Sequence, residues 1–148
     1  MSDKDVKASG ERFEAESFDT VAFTTPPKLS EATVAVVSTA SLHHEDQETF
    51  AATETGFKVL KNELRDYKTG QWSPNFDTVG FAVDFNTIIP LDRLDELAKQ
   101  GIIGEVSDVH LSYSGAQYDL SAVRMDSGPA GAALLKNAGV DVVLLTPV

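Results

Sequence analysis

The sequence contains no cysteine among its 148 residues, and it is poor in positive charge. Without cysteine, disulfides, thiolate nucleophiles and zinc–thiolate sites are excluded within these residues. The 12 Lys and Arg residues against 23 Asp and Glu residues give a formal net charge of −11. Nucleic-acid and anionic-membrane surfaces need cationic patches, so this charge balance argues against both functions.

Long apolar runs and common catalytic motifs are also missing. No apolar stretch is long enough to span a bilayer, and none follows Lys4 and Lys7 as in a secretory signal, so we expect a cytoplasmic protein. Gly128–Gly131 lacks the Lys-Ser/Thr of a phosphate loop, and no Gly-x-Ser-x-Gly nucleophile elbow occurs. We expect the glycines of Gly128–Gly131 to allow close packing of a helix on a sheet.

Strand and helix patterns alternate along the rest of the chain. The β-branched run Thr33–Thr39 predicts a strand buried on both faces, and Phe57–Leu60 a second short strand. In Pro90–Gly101 the leucines share one stripe, proline stands in the first turn and glycine at the end, which indicates a helix. The remaining predicted elements are a strand near 105–113, a helix over 129–137 and a strand over 140–145.

This alternation predicts an α/β fold. We expect a mainly parallel sheet with flanking helices, in a three-layer, flavodoxin-like arrangement that is incomplete. Residues 1–22 are predicted to form an N-terminal arm, either mobile or docked on a sheet edge, and residues 23–148 a single domain. Residues 61–80 are rich in turn formers and predict a long loop anchored by Trp72 and Phe76.

The last eight residues, Asp141–Val148, form the most informative segment. They predict a buried parallel strand that reaches its carboxyl end, where the chain stops. In open α/β sheets, ligands bind and loops carry chemistry at that edge. We therefore expect a domain truncated at its C-terminus, ahead of its active-site loop.

Histidines follow the first predicted strand. His43 and His44, together with Glu45 and Asp46, are residue types that can bind divalent metals. Adjacent histidines on one extended loop rarely bind one metal without a distant third ligand, so we expect no metal and assign them to a solvated loop or to hydrogen bonding with a substrate. His110 lies within a predicted strand and is expected to be a hydrogen-bonded core or edge histidine.

A compact turn, Ser73–Asp77, supplies two further candidates. Asn75 and Asp77 can hydrogen-bond their own backbone in an Asx turn. Alternatively, the loop holds both side chains over the carboxyl edge of the sheet. The sequence leaves the two interpretations open.

Five segments resemble, in the expected order, the selenoprotein B family of glycine, sarcosine, betaine and D-proline reductases. They are Phe23–Ser30, Ala35–His43, Ser73–Asp77, Asn86–Leu97 and Gly139–Pro147. In that family the strand ending in Leu-Thr-Pro is followed almost at once by selenocysteine or cysteine, usually with another cysteine a few residues on. Selenocysteine is encoded by a codon otherwise read as stop, so the resemblance implies a redox residue just after Val148. The competing hypothesis is a short paralogue that has discarded this residue.

The resemblance implies reductive cleavage of a C–N bond in glycine, betaine, sarcosine or D-proline type substrates. A partner subunit holds the amine, through a pyruvoyl group in several members; the selenolate attacks the α-carbon, and electrons return by thiol or selenol exchange. No residue of this chain can be that nucleophile. Thr146 and Pro147 are expected to shape the loop entry. The candidates for the pocket wall are His43, His44, Asn75 and Asp77.

Two other classes of function stay open. One is a non-catalytic binding or assembly subunit of a larger complex, and the other is a flavodoxin-type domain that binds an anion at a helix N-terminus. An exposed apolar patch would favour assembly or truncation over a complete monomer. The sequence does not identify the amine, the partner subunit or the oligomeric state, a homo-oligomer included.

Overall fold

The computed structural model describes residues 19–72, 76, 78–115, 117 and 119–148. None of the helices in these residues has the length and apolar content needed to cross a bilayer. A π-helical turn, Val123–Ser127, leads into the last helix. In chain order the strands and α-helices are β1 (Thr33–Ser38), β2 (Leu42–His43), β3 (Phe57–Lys61), β4 (Lys68–Thr69), α1 (Thr78–Val83), α2 (Leu91–Lys99), β5 (Glu105–Val106), β6 (Val109–Tyr113), α3 (Gly128–Asn137) and β7 (Val142–Thr146).

β1 is the central strand of a five-stranded sheet, in which it pairs in parallel with β5, β6 and β7. Val34 pairs with both β5 and β7, and Val37 pairs with both β6 and β7. Because a strand has only two edges, β5 and β6 share one edge of β1 and β7 occupies the other. β3 lies beyond β6 and is antiparallel to it. The β-branched side chains of β1 suit a strand that is covered on both faces.

A bulge interrupts the edge of β1 that faces β5 and β6. Between its pairings with Val106 and Leu111, β1 advances by three residues and its partner by five, so the single strand predicted over 105–113 is split in two. The Val36 N–H donates instead to His110 Nδ1, at 3.1 Å. His110 Nε2 is fully buried and no described residue hydrogen-bonds to it, so the prediction of a satisfied histidine is wrong for this atom.

The two longer helices cover opposite faces of the sheet. α2 packs against β5, and its Leu91 and Leu94 join the core cluster that contains Val36. α3 packs against β6 on the other face, where Leu135 meets Ala35. A mostly parallel sheet with few flanking helices confirms the predicted α/β class.

Gly131 of α3 allows this close packing, as the sequence predicts. A β-carbon at this position would lie 3.0 Å from Leu111 Cδ1 on β6. The absence of a side chain therefore lets the helix backbone approach the sheet.

The region 61–80 is not a single long loop. β4 pairs with β2 in a small antiparallel sheet, and α1 begins at Thr78. A strand of two residues has no detectable periodicity, which explains why the pattern predicts only turns. Trp72 is 58% exposed, although its Nε1–H donates to the Phe50 carbonyl at 2.7 Å. Of the predicted arm, residues 1–18 lie outside the described part of the chain.

Candidate functional site

The carboxyl ends of β1, β6 and β7 meet at one edge of the sheet because the three strands are parallel. The chain passes from β6 through α3 to β7 on the far side of β1, so β1 lies between the two strand ends. Open α/β sheets bind ligands at this kind of topological switch point. A cleft of about 610 Å³ opens there, and its lining includes Val37, Thr39, Tyr113, Ser114, Leu120 and Pro147.

Thr39, just after β1, ties the end of β7 to the cleft. The Val148 N–H donates to Thr39 Oγ1 at 2.9 Å, and the Thr39 hydroxyl lies 3.3 Å from the Val148 carbonyl oxygen. The Thr39 N–H in turn donates to the Thr146 carbonyl at 3.3 Å. These contacts fix the direction in which the chain leaves β7.

Buried hydroxyl groups hold the loops beneath this edge. The hydroxyls of Ser38 and Thr146 both donate to the Ile88 carbonyl at 3.0 Å, which joins two strand ends to the segment before α2. Ser112 Oγ accepts the Leu42 N–H at 2.7 Å. Because these polar groups are paired inside the protein, they stabilise the edge and are not free to act on a ligand.

Tyr113 forms part of the cleft wall. Its hydroxyl donates to the Ser127 carbonyl at 2.9 Å, and burial raises the pKa of this phenol above its ordinary value. The group therefore stays protonated at neutral pH and connects β6 to the turn that precedes α3. In the described part of the chain, no histidine or carboxylate is hydrogen-bonded to a hydroxyl of the cleft wall, so the structure shows no activated nucleophile there.

The predicted site residues fall in different places. Pro147 lines the cleft, whereas Thr146 is not among the lining residues and its hydroxyl donates to the Ile88 carbonyl. His43 lies in β2, half-buried, with Nδ1 2.8 Å from the His44 carbonyl oxygen. Asn75 and Asp77 lie outside the described residues, and their role stays a prediction.

His44 is 2% exposed and is hydrogen-bonded at both ring nitrogens. Nε2 accepts the Lys61 N–H at 2.7 Å, which places the proton of the neutral ring on Nδ1, facing the Asp66 carboxylate. This hydrogen bond from His44 holds the pKa of Asp66 below its usual range. The ring also packs against Tyr67, whose pKa burial raises to about 12. Neither nitrogen of His44 is free for a metal or substrate in this arrangement.

In the described residues, no group of three or more His, Asp or Glu side chains is arranged so that it could hold a metal ion.

The cleft residues that sequence reasoning misses are Thr39, Tyr113 and Ser114. The available signal was the density of hydroxyl residues at two strand ends, Ser38-Thr39 and Ser112–Ser114. Only the parallel pairing of β1 and β6 shows that these two strand ends are neighbours.

Comparison with known proteins gives one consistent result. The family model for glycine/sarcosine/betaine reductase selenoprotein B matches residues 6–148. D-proline reductase subunit gamma of Acetoanaerobium sticklandii is 29% identical over 120 residues, which cover 80% of this chain and 50% of that protein. The betaine reductase complex component B subunit beta of Peptoclostridium acidaminophilum is 34% identical over 156 residues, covering 95% of this chain and 34% of that protein. The chain thus spans half of one relative and a third of the other. No solved structure matches it significantly.

Proposed function

The chain belongs to the glycine/sarcosine/betaine reductase selenoprotein B family, and we propose that it forms the N-terminal part of a selenocysteine- or cysteine-dependent reductase. The proposed reaction is cleavage of the C–N bond in a glycine, betaine, sarcosine or D-proline type substrate. The observation that carries this function is the family match over residues 6–148. Both relatives are named as reductase subunits, which supports a role within a larger complex. A cytoplasmic location is part of the proposal and rests on the sequence alone.

The redox residue is proposed to follow Val148 directly. Pro147 and Val148 line the cleft, and Thr39 holds Val148 by two contacts, so a residue joined to Val148 would begin at the cleft mouth. A loop that leads from a strand end towards a helix N-terminus is partly exposed and polar. Such a position lowers the pKa of a thiol or selenol, which favours the reactive anion.

At this position the anion would attack the substrate α-carbon: a carbon–chalcogen bond forms, the C–N bond breaks, and the amine nitrogen keeps the electron pair and takes a proton. A pyruvoyl group on the partner subunit would hold the amine, and thiol or selenol exchange would return the electrons. In this chain, Val37 and Leu120 would form the apolar wall that excludes water. Thr39 would position the attacking residue through Val148, and Thr146 and Pro147 would shape the loop entry.

The gene supplies the first test. We expect the Val148 codon to be followed by UGA and then by an open frame with cysteine within a few residues. A UAA or UAG terminator, or a downstream frame without cysteine, contradicts the proposed redox residue.

Activity supplies the second test. The chain extended by that frame, with cysteine at the coded redox position, is assayed for thiol-dependent amine release together with the neighbouring subunit. We expect turnover that is lost when the introduced cysteine is replaced by serine. Equal rates for both proteins would contradict the mechanism.

A second candidate, a non-catalytic assembly subunit, is favoured by one observation: apolar side chains of β7 are exposed, Leu145 by 68%. Under this alternative the 148-residue chain binds the neighbouring subunit by itself, and the extended protein shows no cysteine-dependent turnover. The same two measurements therefore separate the candidates.

A further inference from the structure

The outer edge of β7 is the least protected surface of the sheet. β7 pairs only with β1 among the described residues, so the backbone groups on its other edge have no strand partner there. Val143 and Leu144 are each 39% exposed and Leu145 is 68% exposed. Successive strand residues point to opposite faces, so apolar surface is exposed on both faces of β7.

The helices leave most of these faces uncovered. α2 lies against β5 and α3 against β6, both on the far side of β1 from β7. Parallel strands that are apolar on both faces are normally interior strands, covered by a helix on each side. β7 thus has the sequence of an interior strand in the position of an edge strand.

A second copy of the chain fits this surface poorly. Two β7 strands would pair over five residues, or about 17 Å, which buries little of the roughly 1,000 Å² that a specific interface needs. Such a pair would also leave both faces of the strand without a covering helix. The two chains would in addition each carry a formal charge of −11.

We propose that β7 is the docking edge for a parallel strand with its crossover helix, supplied by the part of the longer reductase polypeptide that this chain does not match. The relatives contain the length required, because the chain spans only 50% and 34% of them. The added strand pairs with the free edge of β7, and its helix covers one apolar face. The source of this unit rests on the proposed function; the docking edge itself rests on the geometry of β7.

The test compares two polypeptides, the 148-residue chain and the same chain joined after Val148 to the unmatched part of D-proline reductase subunit gamma. Amide hydrogen exchange is measured at Val143 and Leu145, whose N–H groups point away from β1, and association by sedimentation equilibrium. We expect a monomer with rapid exchange at both amides in the short chain, and exchange slowed at least 100-fold in the fusion. Slow exchange in a dimer of the short chain would show that a second copy occupies the edge, which overturns the docking proposal.

Substitution gives an independent readout. Leu145→Asp is expected to change the unfolding equilibrium constant less than threefold in the short chain and more than 30-fold in the fusion. Met125→Asp, at a position 75% exposed and outside β7, serves as the matched control and should be mild in both polypeptides. Equal small effects of Leu145→Asp in both would contradict docking.

A fusion that does not fold is replaced by the unmatched segment added in trans to the folded short chain, with the same exchange measurement. Absence of protection at Val143 and Leu145 would then overturn the docking edge. None of these readouts measures reduction of an amine. Failure of the docking edge and failure of the reductase function are therefore distinguishable.

Discussion

β3 and β7 lie at opposite edges of the same sheet, and each is five residues long. On β3, side chains cap the outward-facing backbone: the Lys61 N–H donates to His44 Nε2 at 2.7 Å, and Gln47 Nε2 donates to the Val59 carbonyl at 3.3 Å. The strand also carries Lys58, whose ammonium lies 4.7 Å from the centre of the Phe50 ring. Charge and caps of this kind keep other strands away.

β7 has none of these features in the described structure. Between Val142 and Thr146 it carries no charge, and its apolar side chains are partly exposed. In the described residues, the molecule therefore covers the β3 edge with its own side chains and leaves the β7 edge open. Four measurements test this contrast between the β3 and β7 edges.

The largest effect is expected from His44→Ala, which would open the β3 edge. The change leaves the Lys61 N–H and the Asp66 carboxylate without their partner and creates a cavity beside Tyr67, so we expect the free energy of unfolding to fall by about 3–4 kcal/mol. Denaturant unfolding measures the loss. His43→Ala, one position away and half-buried, is the control and should cost roughly 1 kcal/mol or less. Equal losses for the two histidines would show that His44 does not cap β3.

The second measurement concerns His110, which joins β6 to β1 and lies opposite Leu60 of β3. Burial lowers its pKa from 6.5 to about 4, so the unfolded chain binds this proton more readily than the folded chain. Stability due to the neutral ring is therefore present above pH 6.5 and is lost as the pH falls towards 4. The loss should reach about 3 kcal/mol, at 1.36 kcal/mol per pKa unit.

Unfolding of the parent chain and of His110→Gln across this pH range isolates the contribution of the histidine, because the carboxylates titrate in both proteins. We expect the parent to lose stability more steeply than the variant. Parallel pH profiles would mean that His110 titrates normally.

A smaller effect is expected from Gln47→Ala, which removes the second cap of β3. The variant loses the donor to Val59 and the acceptor of the His44 N–H, at 3.3 and 2.9 Å. Since water can reach this half-exposed site, the cost should be about 1 kcal/mol. Hydrogen exchange along β3 should accelerate at the same time, and unchanged exchange would assign the protection of this edge to His44 alone.

The smallest effect is expected from Leu144→Lys on the open edge of β7. In the 148-residue chain the side chain is 39% exposed and the new ammonium can reach water, so stability should change by less than about 0.5 kcal/mol. Thermal unfolding provides the measurement. A loss comparable with that of Gln47→Ala would show that β7 is already covered in the isolated chain.

Much of the fold could be predicted from local patterns. The β-branched run of β1 and the leucine stripe of α2 produce their elements within one or two residues of the predicted bounds, since both signals come from neighbouring residues. The bulge between β5 and β6 could not be predicted, because the run near 105–113 has no break in its pattern. The candidate site was predicted only in part: Pro147 lines the cleft, whereas His44 caps β3.

The α/β class and the family could be predicted from the sequence alone, because residue periodicity, helix-end residues and family motifs are local properties of the chain. The tertiary structure is needed to show which hydroxyls meet at the carboxyl edge. It is also needed to show that the rings of His44 and His110 accept hydrogen bonds from backbone N–H groups. Those contacts depend on strand pairing and register. Thr39 and Val148, 109 residues apart, become neighbours only when β7 crosses to the far side of β1. A single-residue change of register would turn each side chain to the opposite face of the sheet.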